Sequence, residues 1–385
     1  MIFHLDLDSF FVSCERLLDP SLTGIAVAVG GSSGHGVITS ASYEARKFGV
    51  RSAMPTAQAL RLCPHLKLVR GTHGLYSKKS KEVFDIVARF APTVERVSVD
   101  EAYLDMRGTE TLFGPPEAAA GSIRAAVFAG TGLTCSIGIA ANRRVAKIAT
   151  DFRKPNGQTY VAPETEAAFL APLEVKRIPG IGPSAERSLA EYGLFRVRDL
   201  QALTAEQLEN RFGASFGKFL YRASRGEGST AFHEESQTRS MSREETFGEY
   251  PRDRIALRKH LWELISGVAE ELRQEDDPEY RYARAVRLRL RYPDFETLSR
   301  SRVLEKPTRL TEELYAALEP LLDDAWTAGR PVRLLGAGIV LGNGARQLGL
   351  FEEVGGDEKR EKLAELKDRL KTRFGGNAIK TGRDF

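Results

Sequence analysis

The chain has 385 residues, 42% of them hydrophobic and 28% charged, with a formal net charge of +4. That length allows roughly two to four domains with cores of their own, and no run approaches the ~20 apolar residues that a membrane span needs. Cys14, Cys63 and Cys135 are too scattered for a zinc site and too few for a disulfide framework, and no signal-type leader opens the chain. A cytoplasmic protein is expected. With a net charge this small, affinity for nucleic acid has to come from local clusters.

The opening run, Ile2 to Asp8, reads as a strand with Leu5 and Leu7 on one face and Asp6 and Asp8 on the other. Two acids in an otherwise buried strand are costly unless they coordinate something or are paired. A short helix follows over Ser9 to Cys14, in which Phe10 and Phe11 are ordinary core candidates. Gly24 to Val37 reads as strand, loop, strand. The loop, Gly30 to Gly34, lacks the GxxxxGK[ST] pattern and is taken as a turn. If the stretch Ile38 to Arg51 opens a helix, Tyr43 and Arg46 share a face and Ser40 sits near its start, where backbone N–H groups favour anions. A hydroxyl, a phenol and a guanidinium there suit a triphosphate, although a plain surface helix would carry the same residues. Residues 53 to 92 read as helical.

The stretch Ser98-Val99-Asp100-Glu101-Ala102-Tyr103-Leu104-Asp105 sets two adjacent acids between the β-type runs Val94 to Val99 and Ala102 to Met106. Successive strand side chains face opposite ways, so Asp100 and Glu101 reach one site only at a turn or strand end. Such a turn could hold oxygen ligands for a hard cation such as Mg²⁺; the alternative is a solvated hairpin tip. A helix over Pro116 to Ala129 and a strand over Leu133 to Ile139 lead to Asn142–Gly157, whose five basic residues suggest phosphate binding. In Ile178-Pro179-Gly180-Ile181-Gly182-Pro183-Ser184, Gly180 and Gly182 make a tight hairpin with exposed N–H groups and Pro183 starts a helix. This is a helix-hairpin-helix signature, suited to a nucleic-acid phosphate, with a plain αα-hairpin as the alternative.

Gly226 to Glu235 reads as a polar linker. Beyond it come strands over Thr238 to Thr246, Ala283 to Tyr292, Thr297 to Leu304 and Val332 to Leu341, with helices over Arg254 to Leu272 and Leu310 to Trp326. That βαββαβ order is a split-βαβ domain. In Arg287-Leu288-Arg289-Leu290-Arg291 the leucines meet the helices and the arginines line the open face. Nine Lys/Arg stand against three Asp/Glu from Arg281 to Arg309, a stripe suited to a phosphate backbone. Gln347 to Phe351 is an apolar peptide fit for a partner's pocket. Asp357 to Phe374 is an amphipathic helix with Leu363, Leu366, Leu370 and Phe374 on one stripe.

Together these motifs resemble the Y-family DNA polymerases, most closely the bacterial DNA polymerase IV (DinB-type) enzymes. The most specific marks are Tyr43-Glu44-Ala45-Arg46-Lys47-Phe48-Gly49-Val50, the Ser98–Asp105 stretch, and Ala146-Lys147-Ile148-Ala149 with Lys154-Pro155-Asn156-Gly157. The resemblance implies an α+β multidomain right hand: palm (1–20 and 75–165), fingers (21–74), helical thumb (166–230), linker (231–237), little finger (238–346), then a clamp-binding peptide and tail (347–385). It gives Asp6, Asp100 and Glu101 the role of metal carboxylates, with the carbonyl of Leu7 as a further ligand. Ser40, Tyr43, Arg46 and Lys154 would hold the incoming triphosphate, and Phe11 would be the steric gate against a ribose 2′-hydroxyl. Gly180 and Gly182 would contact the duplex, as would Arg287, Arg289 and Arg291. Gln347, Leu350 and Phe351 would bind a sliding clamp.

The implied activity is template-directed, translesion-type synthesis with two Mg²⁺ ions and no proofreading, by a monomer acting on primer-template DNA and dNTPs. Two departures stand out: Ser9 replaces the Tyr or Cys often found in relatives, and 34 residues follow the clamp peptide, which often ends the chain. A catalytically silent DNA-binding adaptor is the rival reading, but it would be expected to lose a metal carboxylate, and all three are present. A helix-hairpin-helix nuclease would leave the gate and triphosphate residues unexplained.

Overall fold

The computed structural model describes residues 1–31, 36–232, 240–275, 277, 280–342 and 356–375; the expected clamp peptide, Gln347 to Phe351, lies outside them. The chain divides into two units, Met1–Glu235 and Ser236–Phe385. The first opens with β1 (Ile2–Leu7) and α1 (Phe10–Leu18), joined at Ser9, whose backbone is left-handed (φ 44°). Next come β2 (Val27–Gly30), β3 (Ile38–Ala41), α2 (Tyr43–Arg46), α3 (Thr56–Leu62), β4 (Lys67–Val69) and α4 (Leu75–Val87). Then follow β5 (Thr93–Arg96), β6 (Glu101–Asp105), α5 (Glu110–Phe113), α6 (Pro116–Thr131), β7 (Cys135–Ala140), α7 (Arg143–Thr150) and β8 (Gln158–Tyr160).

β1 lies at the centre of a five-stranded sheet of order β5-β6-β1-β7-β8. Its alternation sorts the two faces. Phe3, Leu5 and Leu7 pack with Ile137, Ile139 and residues of α4 and α6, while Ile2 packs on the opposite side with Val145, Ala146 and Ala149 of α7. Gly138 makes that second packing possible: a Cβ there would stand 2.0 Å from the Ala146 carbonyl oxygen. A smaller sheet, β3-β2-β4, carries α2 and α3. Two expectations change here. The stretch 53–92 is not helical throughout, because β4 pairs in parallel with β2 inside it. Ser40 belongs to β3 rather than to a helix start; α2 begins at Tyr43, and its N-cap is Ser42, which accepts from Ala45 N–H.

Five further helices complete the first unit: α8 (Glu166–Leu170), α9 (Pro183–Glu191), α10 (Val197–Gln201), α11 (Ala205–Phe212) and α12 (Ala214–Ser224), around Leu189, Leu200, Leu208 and Leu220. The hairpin before α9 is preceded by a single 3₁₀ turn, Val175–Arg177, instead of a full helix. Gly180 takes φ +102°, a backbone that side chains rarely adopt. The stretch expected to be a linker starts out pinned to α7. Asn142 Nδ2 donates to the Gly226 carbonyl (2.7 Å), and Arg143 NH1 donates to that of Ala231 (2.8 Å).

The second unit contains β9 (Ser240–Thr246), α13 (Arg254–Leu272), β10 (Tyr282–Arg291), β11 (Thr297–Thr308), α14 (Thr311–Ala325), β12 (Leu334–Gly342) and α15 (Gly356–Phe374). The four strands form an antiparallel sheet of order β11-β10-β12-β9, and Val286, Leu288 and Leu290 pack against Leu257, Leu261, Leu314 and Leu318 of the two long helices. The βαββαβ reading holds: β10 alternates with period 2 from Val286 to Arg291, after an irregularity between Ala283 and Ala285. The last helix forms over the expected residues. Leu363, Leu366 and Phe374 stay exposed, and α15 is held by ion pairs: Asp368 to Arg273 (2.5 Å), Lys371 to Glu270 (2.7 Å) and Glu365 to Arg309 (3.4 Å).

Candidate active site

Asp6 and Glu101 are direct cross-strand partners in the β1–β6 ladder, so both side chains rise from one face of the sheet. Asp100 ends the turn before β6, and its carbonyl accepts from Leu7 N–H (3.0 Å), closing the β1 end onto the turn. Ser98 shapes that turn: its hydroxyl donates to Asp100 Oδ1 (2.5 Å) and accepts from the N–H groups of Asp100 (3.2 Å) and Glu101 (3.1 Å). The three acids thus occupy one sheet end. They do not converge: among the described residues no three His, Cys, Asp or Glu side chains are grouped to hold a metal ion.

Each acid has its own partner instead. Lys154 Nζ sits 2.8 Å from Asp6 Oδ1 and 2.8 Å from Asp151 Oδ1, and Lys147 Nζ contacts both oxygens of Glu101 (2.9 and 2.7 Å). Beneath them His4 is buried, with Nδ1 2.8 Å from Thr150 Oγ1 and Nε2 3.9 Å from Glu101 Oε2. Burial pushes the Asp6 carboxyl up to about 7, with Glu101 and Asp100 adding to the shift and Lys154 opposing it. The His4 imidazole and the Lys147 ammonium hold Glu101 well below the usual carboxylate range. Burial works against the charge on Lys154, but Asp6 and Asp151 outweigh it and raise the ammonium above its ordinary value. Burial also lowers His4. The chemistry of the donor set, three carboxylates at one sheet end and all oxygen, is that of a hard divalent cation; Asp6 and Glu101 are held by lysines and Asp100 by Ser98.

Asp8, on the same opening run, is a hub. Almost fully buried, its carboxylate accepts from Tyr43 OH (3.3 Å), Ser136 Oγ (2.8 Å) and Asn156 N–H (2.8 Å). It therefore ties α2 to the turn after Lys154. Burial, helped by Asp8, pushes the Tyr43 phenol up to about 12. Arg46 lies over the Tyr43 ring (4.7 Å) with Nε donating to the Ala41 carbonyl (3.0 Å). Ser40 is buried in β3, the strand that leads to that pair. Phe11 is half-buried, its ring 4.3 Å from that of Tyr76. Tyr76 OH in turn donates to the buried carboxylate of Glu15 (2.6 Å).

Lys147 and Ser98 stand in the sequence inside two of the most specific motifs, but neither is given a role of its own there. The spacing of Ser98 two residues before Asp100 is a local signal for such a turn. Ser136, Thr150 and Tyr76 offered none. In the second unit Arg287, Arg289 and Arg291 line the open face of β10 as expected, although Arg289 is engaged by Glu244 (2.9 Å) and Arg291 Nε donates to Thr297 Oγ1 (2.8 Å).

Residues 5–151 match the impB/mucB/samB family, residues 238–350 that family's C-terminal domain, and residues 176–227 the thumb domain of DNA polymerase-iota. The chain is 37% identical over 382 residues to the DNA polymerase IV of Desulfatibacillum aliphaticivorans, covering 98% of this chain and 95% of that relative. It is 39% identical over 358 residues to the DNA polymerase IV of Methanoculleus marisnigri, covering 91% and 98%. Among solved structures it is similar to a chimeric Y-family DNA polymerase built on Dbh, with a TM-score of 0.76 at 26% identity over 88% of this chain and 98% of that one. DinB from Sulfolobus solfataricus gives 0.58 at 26% identity, over 89% and 98%. The chain belongs to the Y-family DNA polymerases. It is a DNA-directed DNA polymerase of the translesion type, a metal-dependent nucleotidyltransferase, and nothing in these likenesses favours a silent adaptor. No helix among the described residues is long and apolar enough to cross a membrane.

Proposed function

We propose that this polymerase adds dNMPs to a primer 3′ end at the carboxylates of Asp6, Asp100 and Glu101. The observation that carries the reading is the direct pairing of Asp6 with Glu101 across β1 and β6, with Asp100 next in the chain. These three, with the Leu7 carbonyl, would hold two Mg²⁺ ions. Such ions, when bound, lower the pKa of the primer hydroxyl and offset charge on the departing pyrophosphate. The protein's own part is placement. Ser40, Tyr43, Arg46 and Lys154 grip the triphosphate, cationic groups lying where charge develops in an in-line transfer. Asp8 holds the Tyr43 phenol and the Asn156 backbone in register, so the grip from α2 and the grip from the Lys154 turn are set by one carboxylate. The Phe11 ring, backed by Tyr76, fills the space that a ribose 2′-hydroxyl needs.

Primer-template DNA would be held by backbone N–H groups at Gly180 and Gly182 and by Arg287, Arg289 and Arg291, the phosphate contacts positioning the duplex without reading its sequence. Palm (1–20 and 75–165), fingers (21–74), thumb (166–230) and little finger (238–346), with a linker at 231–237, are the corresponding divisions. Gln347, Leu350 and Phe351 fit a sliding clamp on their sequence. A cytoplasmic monomer completes the proposal. The test is primer extension on undamaged DNA with dNTPs and Mg²⁺, wild type beside Asp100→Ala. Extension by wild type alone supports the site; DNA binding without nucleotide addition by wild type sinks it.

A further inference from the structure

Each carboxylate of the site is occupied by a partner of its own chain, and the two lysines that do this differ in one respect. Lys147 extends from the middle of α7, between buried Ala146 and Ile148, and meets Glu101 alone. Lys154 stands beyond the 3₁₀ turn Asp151–Arg153 and spans two acids, Asp6 and Asp151. The turn is held two residues further on: Asn156 N–H donates to Asp8 (2.8 Å) and Asn156 Oδ1 accepts from Arg124 (2.6 Å). Any rearrangement at Lys154 is therefore a swing of the side chain about an anchored turn. An ammonium has three N–H donors, and two of the three are spent on Asp6 and Asp151. A divalent cation bonded to Asp6 and an ammonium 2.8 Å from an oxygen of the same carboxylate repel each other.

We infer that Lys154 is an exchangeable counter-ion, which neutralises Asp6 while the site is empty and passes to the nucleotide's phosphates as a divalent cation takes its place. The inference rests on the reading of Lys154 as a triphosphate ligand and deepens it. Nucleotide then removes the charge that opposes the metal, and metal frees the lysine that the phosphates need. Each tightens the other, by the same factor in both directions. Lys147 has no phosphate role in this scheme and stays with Glu101, which makes it the control: it carries the same charge to the same site without the exchange.

The experiment measures Mn²⁺ binding by electron paramagnetic resonance on the full chain with a dideoxy-terminated primer-template, with and without a non-hydrolysable dNTP analogue. Affinity for the analogue is read separately by fluorescence titration. The variants are Lys154→Gln, Lys154→Arg and Lys147→Gln. The expected result is Mn²⁺ bound about fivefold or more tighter by Lys154→Gln than by wild type when no nucleotide is present, within the usual span of coupling factors. The tightening produced by the analogue shrinks in that variant. Lys154→Arg, which keeps the charge, behaves as wild type, and Lys147→Gln keeps the full coupling.

Unchanged Mn²⁺ affinity in Lys154→Gln with weakened analogue binding overturns the exchange and leaves the triphosphate reading standing. Unweakened analogue binding overturns both. Equal loss of coupling in Lys147→Gln also overturns the exchange, since the effect is then one of charge alone. A Lys154→Arg variant that behaves like Lys154→Gln does the same, since the positive charge is then not what opposes the metal.

Discussion

The sheets of the two units use the same period-2 alternation and treat charge in opposite ways. In the β1 sheet the polar residues face α7, and His4, Asp8 and Ser136 are almost completely buried. A charge in that position has to be met by a partner within the chain or it costs several kcal/mol. Every acid there has one. In the β10 sheet the arginines face outward, Arg287 and Arg289 exposed, and their pairs are screened by water and salt. The contrast separates two jobs: a buried charge network fixes geometry to a fraction of an ångström, whereas an exposed stripe supplies attraction without fixing a register.

The sharpest break in that comparison is Glu101→Gln, which removes half the charge at the β6 end and strands Lys147. Primer extension should fall by more than about 100-fold, beyond what an outer hydrogen-bond partner of a metal ligand is worth, with DNA binding retained in a gel-shift measurement. Asp8→Ala comes next. It leaves the buried Ser136 hydroxyl and the Asn156 N–H without their acceptor, and denaturant unfolding should register a loss of about 2–3 kcal/mol together with a higher KM for dNTP. On the exposed side the effects shrink. Arg287→Ala should weaken DNA binding by about 1 kcal/mol and lower the slope of log K against log salt by about one. Arg289→Ala should do less, because Glu244 already engages that guanidinium. Smallest of all is the cysteine response. Burial pushes the Cys14 and Cys135 thiols up to about 12 and raises Cys63. The thiolate appears only as pH nears those values, so iodoacetamide at pH 8 should leave the folded chain unlabelled and modify all three after unfolding.

What the sequence made legible follows from range. The alternation of β1, the acids at the turn before β6 and the βαββαβ order are written in contiguous residues, where a period or a turn can be read directly. The partners of those acids are not local. Lys147 reaches Glu101 across 46 positions and Asn156 reaches Asp8 across 148, and no pattern in one chain reports such pairings. Short elements were also lost: β4 has three residues and hides in a stretch of helical composition. Ser40 is expected near a helix start only if the helix opens at Ile38, whereas pairing of β3 with β2 decides its conformation. The tail helix was legible as a helix, but not in what holds it. Its apolar stripe is real, yet Asp368 and Glu365, on another face, make the contacts that hold it.

That arrangement has a consequence for how the chain is made. Arg309 is buried and the side chain of half-buried Arg273 is nearly covered beside it, with Arg273 NH1 donating to the Arg309 carbonyl (2.9 Å) and Arg309 NH2 to that of Arg273 (3.0 Å). Two guanidiniums enclosed together repel, and both find a carboxylate on α15. Synthesis runs from the amino terminus, so the residues of β9 through β12 are joined before residues 365 and 368. The second unit can collapse its apolar core early, but it carries an uncompensated pair of cations until its final helix arrives. Its charge balance is complete only once α15 is in place, and a chain that ended at residue 350, where the likeness to the family's C-terminal domain stops, would lack both of those carboxylates.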